Sequence, residues 1–238
     1  MGAILKTENI NSGYGKLQIL FDVSVEFDKE GITAIVGPNG SGKSTLLKTI
    51  MGFTRIYSGR VYFDGKDITG KPPHSVTKMG VSYLPQVGNV FTSLTVYENL
   101  RLAGYTLDES ELRDRMEQVT TFFPVLKDYM EKKVGRLSGG ERQMVAMGMA
   151  LIRNPKVMLF DEPSANLAPI LAKKVVMEVR RLLDELGITI VIVEQIVRLA
   201  LEISEKSYLL VSGTVRYSGD AKDLLNNPDF GKMYLGIV

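Results

Sequence analysis

The spacing of apolar and polar residues along the chain predicts strands that alternate with helices. Val23–Phe27 alternates apolar and polar positions, as a half-buried strand does. Ile32–Val36, Val157–Phe160 and Ile188–Val193 are short apolar runs, which are typical of strands buried on both faces. Because such strands alternate with helical segments, we expect an α/β fold with a mostly parallel sheet that is covered on both faces.

Two stretches are predicted to be largely helical. A long helix is expected over Pro169–Leu186, and Gly187 is expected to end it. The stretch from Leu94 to Tyr129 has few strand signals, several apolar residues at helical spacing and many charges. We therefore predict a helical subdomain, at about residues 87–153, inserted into the α/β core.

Short strands and the absence of linkers complete the predicted organisation. Strands are expected at Arg60–Phe63, before the Asp64-Gly65 turn, and on either side of Ser212-Gly213. No linker rich in proline, glycine or serine divides the sequence, so residues 1–238 are expected to form one domain.

Composition removes several classes of function. The formal net charge of +2 gives no reason to expect binding to nucleic acid or to an anionic membrane. The absence of cysteine excludes disulfides, thiolate catalysis and cysteine-based metal sites. No apolar run approaches the roughly 20 residues of a membrane-spanning helix, and no signal peptide is recognisable. We expect a cytoplasmic protein that reaches a membrane only through a partner.

The strongest local motif matches G-x-x-x-x-G-K-[ST] and lies between a predicted strand and a predicted helix. Its glycines allow positive φ angles, so that successive backbone N–H groups point at a polyphosphate, and the helix start adds its positive dipole end. Lys43 would contact the outer phosphates, and the Ser44 hydroxyl would ligate Mg²⁺. The alternative is a glycine-rich turn with a surface lysine. The predicted phosphate-binding residues are Gly37, Pro38, Asn39, Gly40, Ser41, Gly42, Lys43, Ser44 and Thr45.

Two carboxylates follow the apolar run Val157–Phe160 directly. Asp161 and Glu162 would emerge at the carboxyl end of a buried strand, where open α/β sheets bind ligands. Asp161 is predicted to hold Mg²⁺ through water, and Glu162 to polarise the attacking water as a general base. The alternative is a pair of charges in a solvated turn.

A second anion site is predicted at residues 137–143, Leu-Ser-Gly-Gly-Glu-Arg-Gln, which precede the apolar-periodic segment Met144–Ile152. Ser138 is a suitable N-cap residue, and the two glycines after it leave the N–H groups of the first turn uncovered. By itself, this motif would also fit an ordinary capped helix.

These motifs, in this order, resemble the ATP-binding cassette (ABC) family, and the resemblance covers essentially the whole chain. It implies a P-loop NTPase fold with a mostly parallel core sheet, an antiparallel β subdomain and an inserted helical subdomain. It implies ATP and Mg²⁺ as ligands, with Tyr14 stacking on adenine. Gln86, in Tyr83-Leu-Pro-Gln86, would reach Mg²⁺ and sense a transmembrane partner. Ser164–Pro169 matches the loop that follows the catalytic glutamate.

The resemblance also implies the mechanism and the partners. Two such domains pack head to tail. The family signature of one, here residues 137–143, contacts the γ-phosphate held by the P-loop of the other, here residues 37–45. ATP binding would close the dimer and hydrolysis would reopen it. The partners would be a second ABC ATPase subunit, identical or different, and transmembrane permease subunits at the inner face of the cell membrane. The residues predicted to act in trans are Ser138, Gly139, Gly140 and Glu141.

The sequence departs from the family pattern at two positions. Gln195 stands where the family usually has a histidine that contacts the γ-phosphate, and Ala168 where it often has an aspartate. Glutamine donates a hydrogen bond but cannot become cationic, so we expect slow but real hydrolysis, with Gln195 in a catalytic role. His74, the only histidine, lies far from any motif and is expected to be an ordinary residue at a helix entry.

At both of these positions the sequence resembles the ATPases of branched-chain amino-acid uptake systems. The ending Met233-Tyr-Leu-Gly236 resembles them too. The chain is similar to the shorter of the two ATPases in such systems. The alternatives are an ATPase for lipid or polysaccharide export and a soluble relative outside transport, such as an iron–sulfur assembly ATPase.

Overall fold

The structure is a computed structural model that describes residues 2–237. Its strands are β1 (Ala3–Tyr14), β2 (Leu17–Asp28), β3 (Ile32–Val36), β4 (Arg55–Phe63), β5 (Lys66–Asp67), β6 (Val81–Leu84), β7 (Val157–Asp161), β8 (Thr189–Val193), β9 (Lys206–Val211) and β10 (Thr214–Asp220). Its helices are α1 (Lys43–Ile50), α2 (Pro73–Lys78), α3 (Val96–Ala103), α4 (Glu109–Phe122), α5 (Pro124–Lys127), α6 (Gly139–Leu151), α7 (Pro169–Leu186), α8 (Val197–Ile203), α9 (Ala221–Leu225) and α10 (Phe230–Leu235).

The strands form two sheets. A six-stranded sheet has the order β10-β9-β3-β8-β7-β6, in which only β10 runs antiparallel to its neighbour. A four-stranded antiparallel sheet has the order β2-β1-β4-β5. The predicted fold class is therefore confirmed, with a mostly parallel core sheet beside an antiparallel one. Helices α3 to α6 fall within the stretch that the sequence assigns to a helical subdomain.

The core sheet separates two apolar clusters, because successive residues of a strand point to opposite faces. On β3, Ile32 and Ala34 belong to the cluster on the side of α6 and α7, whereas Ile35 belongs to the cluster with α1 and the antiparallel sheet. On β8, Ile190 and Ile192 face the first cluster, and Val191 and Val193 face the second. Burial on both faces explains why these strands are continuous apolar runs.

Strand β1, one of the two longest strands, was missed by sequence reasoning. Strand β1 carries four register shifts against β2, and its Asn9 has a positive φ of 47°. These irregularities break the alternation of apolar and polar positions that predicts a strand. Strand β2, by contrast, contains the predicted Val23–Phe27 and extends it in both directions.

The topology places the carboxyl ends of four strands at one edge of the core sheet. Strands β3, β6, β7 and β8 run parallel within it, so the segments that follow them share one edge. These segments contain the glycine-rich motif, Gln86, the Asp161-Glu162 pair and Gln195. Residues far apart in the sequence therefore meet at the site where α/β sheets bind ligands.

Candidate functional site

The turn between β3 and α1 has the backbone geometry of an anion-binding loop. Gly37, Gly40 and Gly42 have φ angles of 151°, 76° and 101°, and α1 begins directly after Gly42. A Cβ atom on Gly37 would lie 2.0 Å from the carbonyl oxygen of Leu210, so a side chain at this position would collide with the backbone. The first N–H groups of α1 have no partner within the helix and point into the turn.

Lys43 folds back over this turn. Its Nζ donates hydrogen bonds to the carbonyl oxygens of Gly37 at 2.8 Å and Pro38 at 3.0 Å, and the side chain is buried. Burial lowers the pKa of Lys43, while the nearby carboxylates of Glu162 and Asp161 oppose this shift. The cation is therefore held inside the turn by two carbonyl groups, and the charges of two nearby carboxylates favour its protonated form.

Asp161 is fixed by one hydrogen bond at each carboxylate oxygen. Ser44 Oγ donates to Oδ1 at 2.7 Å, and the Tyr83 hydroxyl donates to Oδ2 at 2.8 Å. Burial and the Asp161 carboxylate raise the pKa of Tyr83, so the hydroxyl keeps its proton at neutral pH. Sequence reasoning gave Tyr83 no role, although it lies in the same short stretch as Gln86.

Glu162 receives two amide donors on a single oxygen. Gln86 Nε2 and Gln195 Nε2 each donate to Oε2 at 2.7 Å, so residues after β6 and β8 converge on the residue after β7. Burial raises the pKa of Glu162, Asp161 raises it further, and Lys43 and the two amides oppose the shift. Glu162 also has a positive φ of 52°, a conformation that is uncommon outside glycine and that a functional position can retain.

A cleft of about 290 Å³, which we call the P-loop cleft, lies beside these groups. Its lining includes most of the glycine-rich motif together with Gln86, Glu162 and Gln195, and also Ile19 from β2, which sequence reasoning missed. Tyr14 lies at the exposed end of β1, 44% exposed, and is not part of this lining. The predicted stacking of Tyr14 on adenine stays a prediction.

The residues present fit a nucleotide with Mg²⁺. A Cβ atom at Gly37 or Gly42 would collide with Leu210 or Leu20, so the turn keeps its shape only with glycine there, and the hydroxyl of Ser41 is buried with no hydrogen-bond partner among residues 2–237. Ser44 and Asp161 offer oxygen ligands to a hard cation. No cluster of three or more His, Asp or Glu side chains forms a metal site in the same residues.

The signature motif forms a separate and self-contained helix start. Ser138 caps α6 in a capping box: the Glu141 N–H donates to Ser138 Oγ at 3.4 Å, and the Ser138 N–H donates to Glu141 Oε2 at 2.6 Å. This hydrogen bond lowers the pKa of Glu141. No residue of the motif lines the P-loop cleft. The structure thus groups most of the glycine-rich motif, Gln86, Glu162 and Gln195 in one cleft, whereas Tyr14 and the residues predicted to act in trans lie outside its lining.

Comparison with known proteins assigns the family. Residues 20–165 match the ABC transporter family. The "Probable branched-chain amino acid transport ATP-binding protein LivF" of Archaeoglobus fulgidus is 51% identical over 235 residues, which are 99% of this chain and all of that protein. The chain belongs to the ABC transporter family. It is an ATP-binding, ATP-hydrolysing subunit of that family.

Further comparisons cover nearly the whole chain as well. The "High-affinity branched-chain amino acid transport ATP-binding protein BraG" of Pseudomonas aeruginosa is 38% identical over 98% of this chain and 100% of its own length. The "Lipopolysaccharide export system ATP-binding protein LptB" of Haemophilus influenzae is 32% identical over 98% of each chain. A crystal structure of an ABC transporter ATP-binding cassette in its ADP conformation has a TM-score of 0.89 at 33% identity, covering 99% of this chain and 100% of the other.

A buried carboxylate that sequence reasoning missed lies behind the site of this ABC subunit. Glu194 is 1% exposed, and its Oε1 accepts a hydrogen bond from the Ser164 N–H at 3.0 Å. Burial raises the pKa of Glu194, and hydrogen bonds from Ser164 and from the N–H of Gln195 oppose the shift. Glu194 thereby joins the loop after Glu162 to the strand that carries Gln195.

The C-terminal helix also reaches the P-loop of this ABC subunit. The Tyr234 hydroxyl donates to the Gly37 carbonyl oxygen at 3.1 Å, so that oxygen accepts from both Tyr234 and Lys43. Burial raises the pKa of Tyr234, and the Glu162 carboxylate adds to the shift. The sequence offered only the ending Met233–Gly236 as a family resemblance, without a contact.

The loop from Ser164 to Pro169 follows Glu162 and leads from β7 into α7. Ala168 occupies the N-cap position of α7 and supplies no side-chain cap, while Pro169 fills the first turn, where no N–H partner is needed. Leu167 packs against the signature, because a Cβ atom on Gly139 would meet Leu167 Cδ2 at 2.5 Å.

A second cleft, which we call the lobe cleft, lies between the core sheet and α6. It encloses about 290 Å³, and its lining includes Phe53, His74, Tyr83, Pro85 and Asn89. His74 thus lies in the first turn of α2, as expected for a helix entry, and on the wall of this cleft. Within residues 2–237, no helix is long and apolar enough to cross a membrane.

Proposed function

We propose that this chain is the ATPase subunit of an ABC transporter that imports branched-chain amino acids. The observation that carries the import assignment is the 51% identity to the LivF protein over essentially the full length of both chains. The 32% identity to the export protein LptB favours the alternative less. The geometry of the P-loop cleft supports hydrolysis, because a phosphate cradle, a carboxylate for Mg²⁺ and a general base share one sheet edge.

Each residue of the cleft has a proposed role in hydrolysis. Bound ATP with Mg²⁺ supplies the phosphoryl group and neutralises its charge. Lys43 contacts the outer phosphates, and Ser44 and Asp161 hold the metal ion. Glu162 accepts the proton of the attacking water, because it lies beside the phosphate cradle and its raised pKa brings it closer to neutral.

Gln86 and Gln195 orient Glu162. Both amide groups donate to the same carboxylate oxygen, which leaves Oε1 free of these two donors and available to the water. An amide cannot carry a positive charge, so Gln195 positions the base without adding the charge stabilisation of an imidazolium. We therefore propose a slow but real hydrolysis rate.

The separation of the signature from the P-loop cleft supports a composite site. A capped helix start with free N–H groups is an anion site, and within one chain it has no catalytic carboxylate beside it. In a head-to-tail dimer, Ser138, Gly139, Gly140 and Glu141 of one subunit would complete the P-loop cleft of the other. The second subunit is either a copy of this chain or a different ABC ATPase.

The permease subunits are proposed to contact the lobe cleft. Pro85 and Asn89 lie on either side of Gln86 along the chain and line this cleft. A permease segment in the cleft would therefore lie next to the residue that holds Glu162. With no membrane-spanning helix in residues 2–237, such a contact would place the subunit peripherally on the cytoplasmic face of the membrane.

Size-exclusion chromatography of the Glu162→Gln variant tests this function. The substitution keeps the side-chain shape but removes the base, so ATP with Mg²⁺ should trap a particle of twice the mass. Glu162→Gln combined with Lys43→Ala is the control, because this variant should stay monomeric with ATP. If Glu162→Gln binds ATP tightly without a change in mass, the homodimer is excluded and a different partner ATPase is required.

Membrane association and uptake separate the alternatives. Co-expression with the permeases encoded beside its gene should bring the chain to membranes and support ATP-dependent uptake of leucine, isoleucine and valine by proteoliposomes that include the binding protein. Co-purification with a soluble partner instead would favour the assembly-factor alternative. Association with permeases that move a lipid or polysaccharide outward would favour export.

A further inference from the structure

The side chain of Tyr83 takes part in two different sites, one through its hydroxyl and the other through its ring. Its hydroxyl donates to Asp161 Oδ2 at 2.8 Å, next to the P-loop cleft. Its ring lines the lobe cleft, where the centroid lies 6.0 Å from that of Phe53 with the planes tilted by 50°. A single rigid side chain therefore connects the wall of the lobe cleft to the carboxylate that is proposed to hold Mg²⁺.

The two donors to Asp161 differ in what else they do. Ser44 is itself a proposed metal ligand, so its hydroxyl serves both Asp161 and the cation. Tyr83 bonds the other oxygen and ligates nothing. Mg²⁺ demands nearly ideal octahedral geometry, and residues that orient its ligands affect metal affinity strongly. Of the two donors that orient Asp161, Tyr83 is therefore the one that is anchored outside the P-loop cleft.

We propose that Tyr83 is a positioning residue that fixes Asp161 for Mg²⁺ and ties its orientation to the shape of the lobe cleft. This inference rests on the proposed function, in which Asp161 holds Mg²⁺. Phe53 is 53% exposed, so a molecule that enters the lobe cleft can displace its ring and press on Tyr83. The connection to Asp161 is separate from the one through Gln86, which ends on Glu162.

Titration of Mg²⁺ against a fluorescent ATP analogue tests the hydroxyl. Tyr83→Phe keeps the ring and removes only the donor, so the Mg²⁺ concentration at half-saturation should rise about tenfold. Affinity for the analogue in EDTA should stay unchanged, as should the unfolding temperature. Tyr217→Phe is the matched control, because it removes a tyrosine hydroxyl that donates to the Asp220 carbonyl oxygen, and Tyr217 lines neither cleft.

Asp161→Asn separates this inference from the proposed function. Wild-type protein should bind the analogue more tightly with Mg²⁺ than in EDTA, and Asp161→Asn should lose that difference. If the wild type shows no Mg²⁺ dependence, the metal site of the proposed function is wrong. If the wild type and Asp161→Asn behave as expected but Tyr83→Phe titrates like the wild type, the positioning role alone is overturned.

A double-mutant cycle tests the connection to the lobe cleft. Phe53→Leu removes the aromatic contact, and we expect it to raise the half-saturating Mg²⁺ concentration about twofold when Tyr83 is present. In the Tyr83→Phe background the same substitution should have no further effect, because the connection to Asp161 is already cut. Equal shifts in both backgrounds, or no shift in either, would overturn the connection.

Discussion

The two anion sites of this chain differ in how they are held. In the P-loop cleft, Lys43, Asp161 and Glu162 are fixed by hydrogen bonds that join segments after four different strands. In the signature, Ser138 and Glu141 bond each other within one helical turn. The first site depends on the whole sheet, whereas the second depends on a local cap. The chain thus contains one site with the proposed catalytic groups and one that is proposed to offer only hydrogen-bond donors.

The largest expected effects come from one substitution in each site. Lys43→Ala removes the buried cation, so the affinity of the isolated chain for ATP should fall roughly 100-fold. Ser138→Asp keeps a good N-cap but places a negative charge at the anion site. It should leave ATP binding by the isolated chain unchanged while hydrolysis falls about 100-fold. Fluorescent-analogue binding and phosphate release measure the two quantities.

Mixing these two variants tests whether the sites are composite. In a heterodimer of Lys43→Ala and Ser138→Asp, one cleft carries both substitutions and the other carries neither. Hydrolysis should therefore partly recover on mixing, above the strongly reduced rate of either variant alone. Without recovery, and with dimers present in the mixture, each chain would have to use its own signature, and the contrast between the two sites would fail.

Gln195→His is expected to change both the rate and its pH dependence. The wild-type rate should fall as the pH falls through the raised pKa of Glu162, because a protonated carboxyl cannot accept a proton. An imidazole at position 195 becomes cationic below its ordinary pKa of about 6.5 and then stabilises phosphate charge. The ratio of the variant's rate to the wild-type rate should thus be about tenfold near pH 6 and decline towards pH 8.

Steady-state phosphate release between pH 6 and pH 8 measures this ratio, with Gln195→Ala as the control that removes the amide without adding a charge. An inactive wild type beside a vigorous Gln195→His variant would show that glutamine does not substitute adequately at this position.

The sequence was informative where the site is local. The P-loop directly follows β3, Asp161 ends β7 and Glu162 follows it, so the predicted strands also gave the positions of these residues. The contacts of Tyr83 and Tyr234 could not be predicted, because their hydrogen bonds span 78 and 197 residues and no local spacing encodes such contacts. The Tyr83 hydroxyl acts across two strands that only the sheet order makes neighbours.

The buried Glu194 was missed for a related reason. A glutamate at the end of a strand is usually exposed to solvent. Only the fold shows that Glu194 is buried and bonded by the loop at Ser164. The capping box of Ser138 and Glu141, in contrast, could be expected from Ser-x-x-Glu before an apolar segment.

Two Glu→Gln substitutions should shift stability in opposite directions. Burial raises the pKa of Glu194, so its charge destabilises the folded state increasingly as the pH rises from the ordinary glutamate pKa through the raised one. Glu194→Gln should stabilise the protein by about 1 kcal/mol at pH 7. The pKa of Glu141 is lowered, so its contribution is present at pH 7 and is lost as the pH falls through that value. Glu141→Gln should cost only a few tenths of a kcal/mol.

Urea unfolding at pH 7 and at pH 4.5 measures both effects. The gain from Glu194→Gln should shrink at the lower pH, where the wild-type carboxyl is closer to neutral. A loss of stability in Glu194→Gln at both pH values would mean that the charge of Glu194 itself holds the Ser164 loop. The region around the P-loop cleft would then resemble the signature, because both would depend on an ionised carboxylate.

The smallest expected effect is that of Tyr234→Phe. Its hydroxyl bonds the Gly37 carbonyl, but Lys43 bonds the same oxygen, and the backbone of Gly37 is already confined against Leu210. Removing one of two donors should therefore weaken ATP binding by no more than about threefold. Tyr217→Phe, which removes a hydroxyl bonded locally to Asp220, is the matched control and should change nothing.

Equilibrium titration of the fluorescent analogue resolves a threefold change. A loss of tenfold or more in Tyr234→Phe would mean that the C-terminal helix, rather than the turn itself, holds the P-loop in shape. The shape of the P-loop would then depend on a hydrogen bond that spans 197 residues. The P-loop cleft would thus depend even more on distant contacts than the signature, which is held by a local cap.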